Sequence, residues 1–176
     1  MKQYWIIDKI RQYKNLSGKQ NSKVLVNIKP IIKGSFSGKI YFENLTKDEL
    51  GLLTYAICLT DQAWQNMGMA KAYGYGRIRF CNVEVKVYNF DVMYSNFALP
   101  KQWSQPMDTK ELINFYKEYV RSSMGIDLDC EDSIRDFLFM KEHVMAQKET
   151  AYQNLEEFKK KRILPTVREI RERQQD

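Results

Sequence analysis

Between Lys23 and Tyr88 the hydrophobic period of the chain switches from 2 to about 3.6 and back to 2, which restricts the segment to the order strand, strand, helix, strand. Val24, Val26 and Ile28 alternate with Leu25, Asn27 and Lys29, the pattern of a strand with one buried face. Pro30 then removes a ladder donor, so this strand should end, bulge or lie at an edge there. From Gly34 to Glu43 the alternation resumes, with Phe36, Ile40 and Phe42 on one face and Ser35, Ser37, Lys39, Tyr41 and Glu43 on the other. The two strands are expected to pair closely, joined around Ile31 to Gly34.

Thr46 followed three residues later by Glu49 is a capping box, and Leu45 with Leu50 suits a hydrophobic staple. Leu50, Leu53 and Ile57 fall at helical spacing, widened by Leu52, Ala56 and Leu59 into an apolar stripe for lying on a sheet. Beyond a linker, the glycine-rich run Gly68 to Gly76 leads into Arg77 to Tyr88. There Ile78 and Phe80 point one way and Val83, Val85 and Val87 the other, which predicts a bulge or phase change near Cys81 and Asn82.

Residues 91–107, with Pro100 and Pro106, read as a connector, and the pattern beyond it is helical. Asp108 and Glu111 form a second capping box ahead of Leu112, Phe115, Tyr116 and Tyr119, with Gly125 as the stop. Ile134, Phe137 and Leu138 begin another helix, Leu155, Phe158 and Ile163 suggest a third before Pro165, and the tail from Thr166 onward is nearly all polar. The expected organisation is a partial α+β domain over 1–90, a connector over 91–107 and a helical region over 108–176. A chain of 176 residues, 44% hydrophobic, has length for one real core. It has no apolar run of membrane-spanning length and too short an apolar start for a signal peptide, so the expected compartment is the cytoplasm. Cys58, Cys81 and Cys130 lack paired spacing, which speaks against a disulfide framework or a zinc site and makes them small buried residues.

The net charge of +6 is unevenly placed: residues 1–45 hold nine Lys/Arg against two Asp/Glu, and residues 91–140 hold five against nine. A basic first quarter suits a polyanionic partner, and equally a solvated surface. A more specific signal is Gly68, Gly74 and Gly76, three of eight glycines, interleaved with Lys71, Tyr73, Tyr75, Arg77 and Arg79. Glycine permits positive φ and close approach of a phosphate backbone, amide groups can face phosphate oxygens, cations attract them, and tyrosines offer stacking faces. A glycine turn that merely joins helix to strand explains the same residues without a ligand. There is no GK[ST] of a phosphate-binding loop, and a dinucleotide fingerprint would follow a strand and open a helix, which this run does not.

Gly34-Ser-Phe-Ser-Gly-Lys-Ile-Tyr-Phe-Glu-Asn-Leu-Thr46, Glu49-Leu-Gly-Leu-Leu53, Gly68-Met-Ala-Lys71 and Tyr73-Gly-Tyr-Gly76 together resemble the RAMP superfamily of CRISPR-associated proteins. Ile134 to Leu138 and Lys161 to Pro165 look like the tail of its large, multi-RAMP members. The resemblance implies a ferredoxin-like, RRM-related domain whose glycine loop contacts guide RNA, within a type III-like antiviral ribonucleoprotein. Its implied partners are the CRISPR guide RNA and other effector subunits or the rest of a multi-RAMP chain. A complete fold of that kind runs βαββαβ, and only its second half is evident here, so the domain is expected to be incomplete, with an open edge favouring a homodimer or subunit pairing.

No catalytic constellation is legible, and the chain reads as a binding component with no cofactor and no metal rather than an enzyme. The alternatives are an endoribonuclease using the sole histidine, His143, or the acidic cluster Asp127, Asp129, Glu131 and Asp132, and a module whose helical region docks a protein partner. The acidic cluster also suits the positive N-terminus of the following helix.

Overall fold

The computed structural model describes residues 3–8, 29, 31, 33–95, 103–145, 159–160 and 163–174. In chain order the elements are β1 (Ile6–Ile7), α1 (Lys47–Cys58), β2 (Gln65–Asn66), a 3-10 turn (Lys71–Tyr73), β3 (Arg77–Ile78), β4 (Val85–Tyr88), α2 (Phe90–Ser95), β5 (Ser104–Met107), α3 (Thr109–Met124), α4 (Asp132–Glu142), β6 (Val144–Met145) and α5 (Val167–Arg173). The fold class is mixed α+β. The strands make three separate two-stranded ladders: β1 parallel to β6, β2 antiparallel to β3 and β4 antiparallel to β5. Among the described residues no single ferredoxin-like sheet is formed.

The strand expected over Lys23 to Pro30 lies outside the described residues apart from Lys29. Gly34 to Glu43, expected as its partner, has no assigned strand, and Phe36, Ile40 and Tyr41 are largely exposed. A period-2 pattern builds a sheet only where a neighbouring strand takes up its backbone groups, and none among the described residues does so.

Helix α1 begins where the capping box requires: Thr46 Oγ1 accepts from the Glu49 amide at 3.4 Å, and the Glu49 carboxylate accepts from the Thr46 amide at 2.9 Å. Its inward face is rotated from the leucine stripe: Leu50, Gly51, Thr54 and Tyr55 are buried, Leu53 and Ile57 are half-buried at its flank, and Leu52 and Ala56 face out. Gly51 explains the rotation, because a Cβ there would stand 2.5 Å from the Leu112 carbonyl oxygen and 2.8 Å from Tyr116 Cβ. The helix backbones of α1 and α3 meet at this glycine, and the close approach turns α1 so that Gly51 and Thr54 are buried beside Leu50 and Tyr55. Thr54 satisfies its buried hydroxyl by donating to the Leu50 carbonyl at 2.7 Å.

Helix α3 is capped by Asp108, whose carboxylate accepts from the Lys110 and Glu111 amides at 2.7 and 3.0 Å. The reciprocal half of the expected box is replaced by a tertiary contact: the Glu111 carboxylate takes Lys47 Nζ of α1 at 3.1 Å. Gly125 ends α3 in the left-handed region, as expected. Leu112 and Val120 bury toward α1, while Phe139, Met140, Ile6, Ile7 and Met145 make a second apolar centre where α4 meets the β1–β6 ladder.

The expected phase change near Asn82 is a break: Asn82 has φ 53°, and strand structure resumes only at Val85. There Val85 and Val87 turn to the more sheltered face while Lys86 and Tyr88 face out, and the ladder pairs Val85 with Met107 and Tyr88 with Ser104, inside what read as a connector. Helix α5 was hidden in the polar tail. Thr166 and Glu169 form a complete capping box, and Arg171, almost wholly buried, lies 3.2 Å from Asp132 and 3.1 Å from Asp136 of α4. Ile163, expected in a preceding helix, is an exposed non-helical residue, and Leu155 and Phe158 lie outside the described residues. Of the cysteines, Cys58 is half-buried, but Cys81 and Cys130 are exposed, contrary to the buried role expected of them.

Candidate nucleic-acid interface

The glycine-rich run closes a hairpin. Gln65 pairs with Ile78 and Asn66 with Arg77, and the ladder continues into the loop through Met67 N–H donating to the Gly76 carbonyl at 2.8 Å. Gly76 has φ +72°, and a Cβ on it would lie 1.7 Å from the Met67 oxygen, so no side chain fits without opening the turn. Gly74, at φ 88°, stops the 3-10 turn, its amide donating to the Lys71 carbonyl at 3.1 Å. The Tyr73 amide donates to the Ala70 carbonyl at 2.9 Å. The amides of Met67, Tyr73 and Gly74 are therefore used inside the loop, which leaves any backbone contact with a ligand to its other amides. Gly68, at φ +83° with open space around it, completes the left-handed positions.

Side chains carry the positive charge instead. Arg77 opens β3 and Arg79 lies one residue past its end, and both guanidinium groups reach the Trp64 face of the hairpin. That face also holds Asn66 and, one step further along the register, Trp64 opposite Arg79. The guanidinium carbon of Arg79 is 4.3 Å from the Trp64 ring centroid and that of Arg77 is 4.9 Å from it. Arg79 is further fixed by donating from Nη2 to the Gln62 carbonyl at 3.1 Å. Each cation–π contact contributes about 0.5–1 kcal/mol at an exposed site, enough to hold two guanidinium groups over one indole. Neither arginine has a carboxylate partner among the described residues, and both remain exposed. Lys71 folds back so that Nζ donates to the Gly68 carbonyl and lies 5.9 Å from the Tyr4 ring centroid. Tyr73 and Tyr75 are half-buried rather than open stacking platforms.

Beneath the hairpin is Lys141, at the end of α4 and only 2% exposed. Its ammonium donates to Asn66 Oδ1 at 2.8 Å and to the Tyr4 carbonyl at 3.4 Å, and its own carbonyl accepts from the Trp64 amide at 2.8 Å. Burial lowers its pKa, because the apolar surroundings disfavour the charged form. One residue thus ties the hairpin, the segment leading into β1 and helix α4 together. The structure therefore joins the loop cations predicted from sequence to Trp64, Asn66, Tyr4 and Lys141, none of which sequence reasoning selected. Trp64 and Asn66 were legible in principle, since a short alternating stretch before a glycine run and another after it is a hairpin signature. Nothing in the sequence distinguishes Lys141 from a surface lysine.

The residues of the hydrolytic alternative are engaged elsewhere. The His143 ring lies 4.3 Å from the Phe139 ring, with Nδ1 3.2 Å from the Phe139 carbonyl. Asp127 is bound by Arg121 at 2.7 Å, and that hydrogen bond holds its carboxyl below the usual carboxylate range. Asp129 is bound by Lys117 at 2.6 Å. Asp132 is likewise lowered, first by its hydrogen bond from Arg171. Glu131 is the N-cap residue of α4 and Asp132 lies in its first turn, where the sequence placed acidic charge, although the Glu131 side chain caps no amide; Asp127, Asp129 and Asp132 are also held in ion pairs. Among the described residues no group of His, Cys, Asp and Glu is arranged to hold a metal ion, and no helix is long and apolar enough to cross a membrane. Comparison with family models, curated proteins and solved structures returns no match to this chain.

Proposed function

We propose that this chain is a single-stranded RNA-binding structural component that grips the phosphate backbone with the β2–β3 hairpin. The observation that carries the reading is the pair Arg77 and Arg79, stacked on Trp64 and free of any carboxylate among the described residues. Guanidinium groups held on an ordered hairpin without a carboxylate partner among the described residues suit phosphate oxygens, which accept from the planar fork in pairs. Lys71 adds a third cation from the loop. Contacts of this kind set affinity and register on the strand but read no base sequence.

The narrower assignment to a CRISPR guide-RNA-binding subunit, with a ferredoxin-like domain completed by other effector subunits or by the rest of a multi-RAMP chain, rests on the sequence resemblance alone. It places the protein in an RNA-guided antiviral complex as a binder, not a nuclease.

Titration of the purified chain with labelled single-stranded RNA at two salt concentrations tests the reading. The Lys71→Ala/Arg77→Ala variant is expected to bind more weakly on all sequences, and to lose about two phosphate contacts from the salt slope. A slope equal to that of the wild type would remove the hairpin from the RNA-binding surface.

A further inference from the structure

The segment Lys33 to Glu43 keeps strand patterning without a strand partner among the described residues. None of residues 34–43 takes a left-handed backbone, the first such residue being Asn44 at φ 56°. Phe36, Ile40 and Tyr41 are 78%, 63% and 86% exposed, and Lys33 and Glu43 are exposed with no ion-pair partner among the described residues. The segment is exposed at every position but half-buried Phe42, and a stretch of this patterning, once extended, is a template for pairing with another chain.

The order of residues indicates which chain. Laid antiparallel against a copy of itself about Gly38, the segment places Phe36 opposite Ile40, Gly34 opposite Phe42, and Lys33 opposite Glu43. Every residue on one side of the axis then meets a suitable one on the other: an aromatic ring a β-branched side chain, a glycine an aromatic ring, a cation a carboxylate. Tyr41 meets Ser35 and Lys39 meets Ser37, so no like charges stand directly opposite. A two-fold axis generates each pair twice.

We propose that residues 33–43 of two copies of this chain pair as antiparallel strands about a two-fold axis through Gly38. The two copies form a continuous ribbon with Phe36, Ile40 and Phe42 on one face. A two-stranded ribbon is marginal by itself, so the association is weak and visible as a concentration-dependent equilibrium.

Sedimentation of the full chain without RNA, from micromolar to millimolar concentration, tests the pairing independently of the RNA-binding reading. The wild type is expected to shift from monomer to dimer. Lys33→Glu and Glu43→Lys each place like charges opposite one another twice, weakening the dimer roughly tenfold. An equimolar mixture of these two variants restores opposite charges at both positions and should recover wild-type association. Lys39→Glu, which faces Ser37, should leave it unchanged. A wild type that remains monomeric throughout, a mixture that fails to recover, or a dimer lost through Lys39→Glu overturns the proposal. All three positions are exposed, so matching circular dichroism spectra confirm that the fold is retained in each variant.

Discussion

Tyr55 is buried against α3, and its hydroxyl finds no hydrogen-bond partner among the described residues. Burial, followed by the nearby charge of Asp129, raises its pKa, since both oppose a phenolate. The oxygen has lost its water without replacement, a condition that costs about 1–3 kcal/mol. Tyr55→Phe keeps the ring against Tyr116 and under Lys117, so urea denaturation should show a variant more stable by about 1 kcal/mol. Lys141 differs, because its ammonium is hydrogen-bonded yet lacks a carboxylate among the described residues. Its folded-state pKa lies below the unfolded value of 10.5, so at intermediate pH the unfolded chain binds the extra proton. Stability from this residue therefore rises with pH through that interval and levels off above the unfolded value. Lys141→Met should flatten that part of the rise, measured as the difference between the two proteins in urea melts from neutral pH to above pH 10.5; parallel profiles would mean that the site is wet enough to keep its ordinary pKa.

At the scale of elements, what was legible followed local rules. The Thr46 and Asp108 caps, the Gly125 stop and the break near Asn82 each depend on neighbours within a few residues, and each stands where the sequence placed it. The capping box at Thr166 obeys the same rule but was obscured by the polar composition of α5, a helix held through ion pairs instead of an apolar stripe. Long-range facts were not legible in this way. The inward face of α1 is chosen by Gly51, and no periodicity in α1 reports where α3 will cross. Gly51→Ala should lower stability by about 1–3 kcal/mol through the clash with the Leu112 carbonyl, despite the helix propensity that alanine adds. A thermal melt of the variant checks it, and an unchanged or raised midpoint would show that the helices separate at little cost.

Across the whole molecule, four sets of tertiary contacts join the first half of the chain to the second. Helix α1 packs on α3, β4 pairs with β5, β1 pairs with β6, and the hairpin rests on Lys141 of α4. The cations of the candidate interface come from a glycine-rich motif that sequence reading selects, whereas their support comes from Trp64, Asn66, Tyr4 and Lys141, brought together only by folding. This division has a physical basis: a turn is encoded by the backbone needs of its own residues, while the floor beneath it is set by residues as distant as Tyr4 and Lys141. We propose that RNA lies across the Trp64, Arg77 and Arg79 face. Ultraviolet crosslinking of the full chain to single-stranded RNA, with the attached peptides identified by mass spectrometry, tests it most directly. Adducts are expected within residues 62–79, diminished when Arg77 and Arg79 are both changed to alanine; adducts confined to other segments, or unaffected by that change, would mean that RNA binds elsewhere.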